Sequence, residues 1–82
     1  SKFEQFKLKY LGTKAGVPDV MVFTPTNKRN GLAIELKAGY NKPTDNQKLW
    51  LDLLDNCNWS VHWSNDFDEC KSIIDNYFKD EI

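Results

Sequence analysis

Eighty-two residues, 40% apolar and 28% charged, make one small globular domain (residues 1–82) near the lower limit for an independent core. A net charge of −1 argues against wholesale attraction to nucleic acid, yet nine basic residues face four acidic ones up to Lys48, and two face eight beyond it. One face of such a polarised chain can still be basic enough for a polyanion.

No apolar run is long enough to cross a bilayer and no signal-peptide pattern opens the chain, so a cytoplasmic protein is expected. Cys57, Cys70 and His62 lack zinc-ligand spacing, and the two cysteines read as free buried thiols in a reducing compartment. A core this thin also makes a homodimer plausible.

Phe3, Phe6, Lys7 and Tyr10 recur at helical spacing ahead of Gly12, which predicts a short helix over 2–11. After Gly16-Val17-Pro18, the run Val20 to Phe23 favours a strand. Residues 24–31 carry turn chemistry. Residues 32–37 then alternate, with Leu32, Ile34 and Leu36 on one face and Ala33, Glu35 and Lys37 on the other. These two strands form an expected antiparallel hairpin.

Thr44-Asp45-Asn46-Gln47 fits a capping box opening a helix to about Asn56, with Trp50, Leu51 and Leu54 as its apolar stripe. Asn58 closes it, residues 59–63 make a third strand, and Asn65-Asp66 cap a last helix bearing Phe67, Cys70, Ile73, Ile74, Tyr77 and Phe78. The order α-β-β-α-β-α predicts an α/β fold, a small mixed sheet flanked by helices.

The chemistry concentrates in a polar trio. Glu35 and Lys37 share the polar face of a strand that should be central, and only partial exposure is expected for them. Asp19 begins the neighbouring strand just after Pro18, so an in-register hairpin sets it beside them. Two carboxylates that close resist joint ionisation unless a cation lies between them. Mg²⁺ suits that role, since it takes oxygen ligands and keeps several waters. Asp19 and Glu35, helped by the Leu36 carbonyl, are therefore the expected metal ligands for phosphodiester hydrolysis. Lys37 would orient the attacking water or stabilise transition-state charge.

Gln47 shares a helical stripe with Trp50, Leu51 and Leu54 and should point toward the sheet. Two readings of it stand open, a capping partner alone or an amide that also serves the site. Gly16 lets a DNA backbone approach closely, and Lys14, Lys42 and Lys48 are the basic residues expected to touch DNA, the last two beside a helix start that favours anions. Trp50, Trp59 and Trp63 read as core or dimer-interface residues before base-stacking ones, and His62 as a packed or surface histidine before a general base.

The strings AGVPDVMVF (15–23), GLAIELKAG (31–39) and PTDNQKLWLDLL (43–54) together resemble the VRR-NUC family, the virus-type replication-repair nucleases of the PD-(D/E)XK superfamily. The resemblance covers most of the chain from Leu8 onward. It implies a restriction-endonuclease-like core, dependence on Mg²⁺ or Mn²⁺, and structure-selective DNA cleavage. Asp19 and Glu35 then correspond to metal ligands, Lys37 to the catalytic lysine, and Gln47 to the family's Gln on the following helix. The chain is similar to the family's minimal stand-alone members, which resemble junction resolvases that work as homodimers, and this implies a resolvase-like homodimer acting on four-way (Holliday) junctions. One departure is that the family's additional N-terminal acid has only Glu4 to match it here. A non-catalytic DNA-binding or assembly module on the same scaffold is the alternative, but it has no physical need for the intact trio.

Overall fold

A computed structural model describes residues 17–82, so the helix expected over 2–11, Glu4, Lys14 and Gly16 lie outside the described residues. The described order is β1 (Val20–Val22), β2 (Gly31–Leu36), α1 (Asp45–Asn56), β3 (Trp59–Ser64) and α2 (Phe67–Phe78). This is the expected β-β-α-β-α succession, with element bounds within a residue or so of those read from the sequence.

The three strands form one sheet in the order β1-β2-β3. β1 runs antiparallel to β2 with Val20 opposite Ile34 and Val22 opposite Leu32. β3 runs parallel to β2, pairing Gly31 with Trp59 through to Leu36 with Ser64. A parallel neighbour requires a crossover, and α1 is that connection. No helix among the described residues is long and apolar enough to cross a membrane.

β2 is flanked by a strand on each side and by a helix on each face, which explains why every residue from Gly31 to Glu35 is buried. On one face Leu32 and Ile34 join Cys70 and Tyr77 of α2, with Val20, Val22, Ile73, Ile74 and Ile82 packed around them. Tyr77 is fully buried, and its hydroxyl donates to the Thr24 carbonyl, so its polar tip is satisfied. On the opposite face Ala33 and Glu35 lie toward α1, where Gln47 reaches Glu35. The aromatic ring of Trp59 covers Gly31 so closely that an added Cβ would sit 2.6 Å from it. Phe23 meets the same indole edge-on, with centroids 5.3 Å apart.

Several expectations about burial need correction. Leu36 continues the face of Leu32 and Ile34, as expected, but is exposed, because it is the last residue of β2. Phe67 and Phe78, at the two ends of α2, are exposed for the same reason, since helix ends overhang a sheet this narrow. Cys70 is buried as expected, but Cys57 is exposed, because it caps the C-terminus of α1.

The β1–β2 loop is tied down at the far end of the sheet. The Thr26 hydroxyl accepts from the Lys28 and Arg29 amides at 3.3 and 3.1 Å. The Asn58 side-chain amide donates to the Lys28 carbonyl at 2.9 Å, and that of Asn30 to the Cys57 carbonyl at 2.8 Å. Asn58 itself takes φ of 62° to end α1, a left-handed conformation that asparagine tolerates better than most residues.

Candidate active site

Extending the β1–β2 register by one residue sets Asp19 opposite Glu35, so the hairpin brings the two carboxylates together. The Leu36 backbone amide donates to Asp19 Oδ2 at 2.9 Å, which locks the Asp19 carboxylate to β2 just past the last strand pair. Lys37 continues the parallel ladder, its amide donating to the Ser64 carbonyl at 2.9 Å. That placement returns its side chain to the Glu35 face, with Nζ 3.7 Å from Glu35 Oε1. The trio expected from the sequence lies at one point of the structure.

Glu35 is more deeply enclosed than expected, only 2% exposed. Its two oxygens are in different situations. Oε1 accepts from the Gln47 side-chain amide at 3.0 Å and faces the Lys37 ammonium. Oε2 is buried and accepts no hydrogen bond among the described residues. An unpaired buried carboxylate oxygen costs several kcal/mol by order of magnitude, so its persistence asks for an explanation. Burial first, and the adjoining Asp19 carboxylate second, push the Glu35 pKa up from 4.5 to about 7, against the opposing pull of Lys37.

Gln47 does both things left open by the sequence. Its side-chain oxygen accepts from the Thr44 amide at 2.8 Å while the Thr44 hydroxyl accepts from the Gln47 amide at 3.3 Å, which completes the capping box. Its NH₂ is left to hold Glu35. One side chain therefore fixes the start of α1 and the position of the central carboxylate.

An orphaned oxygen on one of two adjoining carboxylates offers the oxygen donors that a hard divalent cation takes, while the Lys37 ammonium beside them is left for an anion. Among the described residues no group of three or more His, Cys, Asp or Glu comes together. Two carboxylates are nevertheless the ordinary protein contribution to Mg²⁺, with waters and substrate phosphate completing its shell.

Lys42 and Lys48 are exposed on either side of the α1 start, close in sequence to Gln47. Lys28 and Arg29 sit at the opposite end of the sheet, in the loop pinned to Asn58. His62 pairs with Ile34 and so lies on the face away from Glu35, where its Nε2 is 2.7 Å from the Ser60 hydroxyl. Burial, then the Arg29 charge, lowers its pKa from 6.5.

One neighbour of the site was not legible as such. Trp63 is the β3 partner of Glu35, on the same face, and 43% exposed. Its position depends on the parallel register of β3, and nothing in the local sequence announces that register.

With this geometry in place, comparison with known proteins gives a consistent result. The VRR-NUC domain model matches residues 1–66. A solved structure described as a VRR_NUC domain protein superposes with a TM-score of 0.77 at 31% identity, covering 93% of this chain. The chain spans 63% of the length of that structure. No curated protein matches it.

Proposed function

The chain belongs to the VRR-NUC family, and from that membership together with the site geometry we propose that it is a metal-dependent endonuclease that hydrolyses phosphodiester bonds in branched DNA. The observation that carries this reading is the buried Oε2 of Glu35, which has no hydrogen-bond donor among the described residues, beside Asp19 and Lys37. A purely structural glutamate in that place would be replaced to advantage by an apolar residue of similar volume. An oxygen kept clear of donors is what a metal ligand needs.

Asp19, Glu35 and the Leu36 carbonyl are the groups proposed to hold Mg²⁺ or Mn²⁺. The cation, when bound, supplies Lewis acidity at a phosphate oxygen and lowers the pKa of water. The remaining work falls to the chain itself. Gln47 holds Glu35 by Oε1 and so keeps Oε2 for the ligand role. Lys37 places an ammonium where negative charge grows on the phosphate as the attacking oxygen arrives. Lys42 and Lys48, with Lys14 and Gly16, are proposed to hold the flanking backbone, helped by the free amides at the α1 start.

A homodimer acting on a four-way junction is the finer form of this proposal. It is supported by the family resemblance, by the small core, and by Leu49 and Leu53, exposed one helical turn apart on α1. The decisive experiment is a cleavage panel of single-stranded, duplex, flap and four-way DNA with Mg²⁺ or Mn²⁺, run beside Lys37→Ala and a mass measurement in solution. Cleavage of branched DNA that falls roughly a hundredfold or more in the variant is expected. Binding without cleavage by the unaltered chain would instead favour the non-catalytic module.

A further inference from the structure

Large apolar side chains collect in the open at one edge of this molecule. The C-terminal edge of β2 and β3, where Lys37 emerges, carries exposed Trp63 on the Glu35 face and exposed Leu36 on the other, with Tyr40 and Phe67 exposed in the segments that follow the two strands. This is the edge at which open α/β sheets ordinarily receive ligands. A recess of about 170 Å³ opens there between Leu36, Lys37, Ser64, Asn65, Asp66 and Phe67.

Two of these aromatics are held in place by the backbone around them. Trp63 is fixed by strand pairing directly beside Glu35, on the same face of the sheet. Tyr40 sits in a turn closed by the Asn41 amide on the Ala38 carbonyl at 3.2 Å, with Gly39 at φ of 58°. The Asn65 side-chain amide donates to the Gly39 carbonyl at 2.6 Å, so the turn is tied to the segment just beyond Trp63. Tyr40 is fully exposed and has no packing role there. The turn therefore presents a bare phenol ring three residues after Lys37.

We propose that Trp63 and Tyr40 form a stacking platform for unpaired nucleobases next to the phosphate held at Lys37. Charge favours this occupant, because Lys37 lies beside Glu35, the strand partner of Trp63, and exposed Lys42 follows Tyr40 by two residues, so both match a polyanion. Every base offers a π-face, so stacking needs no particular sequence. In an intact duplex those faces are already covered by neighbouring base pairs. The platform can engage only where the stack is interrupted, at a flap, gap, end or junction. The inference rests on the nuclease reading for its substrate, and it supplies a physical source of selectivity for DNA with unpaired nucleotides beside the cut.

The test reads binding without metal, apart from cleavage. Affinities for a duplex bearing a single-stranded flap and for the same duplex fully paired are measured for the unaltered chain, Tyr40→Ala, Trp63→Ala and Trp63→Phe. The preference for the flap should fall at least about fivefold in each alanine variant and largely return in Trp63→Phe. Oligothymidine should quench tryptophan emission in the unaltered chain, and that quenching should fall sharply in Trp63→Phe, which keeps Trp50 and Trp59. If Trp63→Ala does not fold by circular dichroism, Tyr40→Ala and the quenching measurement carry the test. An unchanged flap preference in folded variants, or quenching that persists undiminished in Trp63→Phe, overturns the platform. So does a loss of self-association in these variants with no change in DNA preference, which would assign the edge to a second copy of the chain. Quenching by Trp63 in a chain that cleaves no DNA would retire the nuclease reading and leave the platform standing.

Discussion

Glu35 is the residue on which fold and site make opposite demands. Its position in the central strand excludes water, and Asp19 beside it adds like charge, so the carboxyl titrates near 7. In the unfolded chain it would titrate near 4.5. The folded state therefore binds the extra proton between these values, and the stability this proton confers is present below about pH 4.5 and lost as pH rises through 7. The amount at stake is on the order of 3 kcal/mol for a shift of this size. Glu35→Gln removes the titration and keeps an oxygen for Gln47. Without metal, the variant should melt several degrees above the unaltered protein at pH 8 and close to it at pH 4.5. Mn²⁺ at pH 8 should then raise the melting temperature of the unaltered protein alone. Melting curves that run parallel in pH for the two proteins would show that Glu35 is not the strained group.

At the scale of elements, the start of α1 joins stability and chemistry through Gln47, and two substitutions pull them apart. Thr44→Ala removes the N-cap hydroxyl, a loss of about 1 kcal/mol, which for a domain of this size is about 4–8 °C in melting temperature. It leaves the Gln47 amide on Glu35, so cleavage should change by no more than about threefold. Gln47→Glu keeps an oxygen for the Thr44 amide but exchanges the donor to Glu35 for a third carboxylate. Cleavage should fall at least about tenfold, a loss of the size expected when a charge-assisted hydrogen bond in the site is removed. Equal loss of activity in both variants would mean that Gln47 acts only through the cap.

The same elements show where the sequence is legible and where it stops. The strand alternation around Glu35 and the Pro18-Asp19 step were enough to set Asp19 against Glu35, because a hairpin has one register that buries its apolar residues. The Thr44-to-Gln47 spacing located a helix start to the residue. The burial of Glu35 was underestimated, since alternation within β2 cannot show that both faces will be covered. Trp63 beside Glu35 depends on a parallel pairing between strands separated by all of α1, and no local pattern encodes it. Cys57 reads as buried but is exposed, and Leu36 and Phe67 continue apolar patterns without being covered, because each lies at the end of an element, where periodicity outlasts the cover.

At the scale of the whole molecule, the basic side chains divide between the two ends of the sheet. Lys37, Lys42 and Lys48 belong to the end that carries Asp19 and Glu35, while Lys28 and Arg29 occupy the other. A six-residue strand separates the ends, about 20 Å at the rise of an extended chain. That is about two and a half times the Debye length at physiological salt, roughly 8 Å, so the two groups act on a bound polyanion independently. DNA seated at the candidate site should release counterions to the first group and not to the second. Replacing Lys42 and Lys48 by alanine should flatten the dependence of log affinity on log salt by about two, near one per phosphate contact removed. Replacing Lys28 and Arg29 should leave the slope within error, although the Arg29 contact with Asn58 at 3.4 Å is lost. Measured on one flap substrate from low to physiological salt, equal flattening by both pairs would mean that DNA runs the length of the sheet. A slope that responds only to Lys28 and Arg29 would move the binding face to the opposite end, away from Glu35.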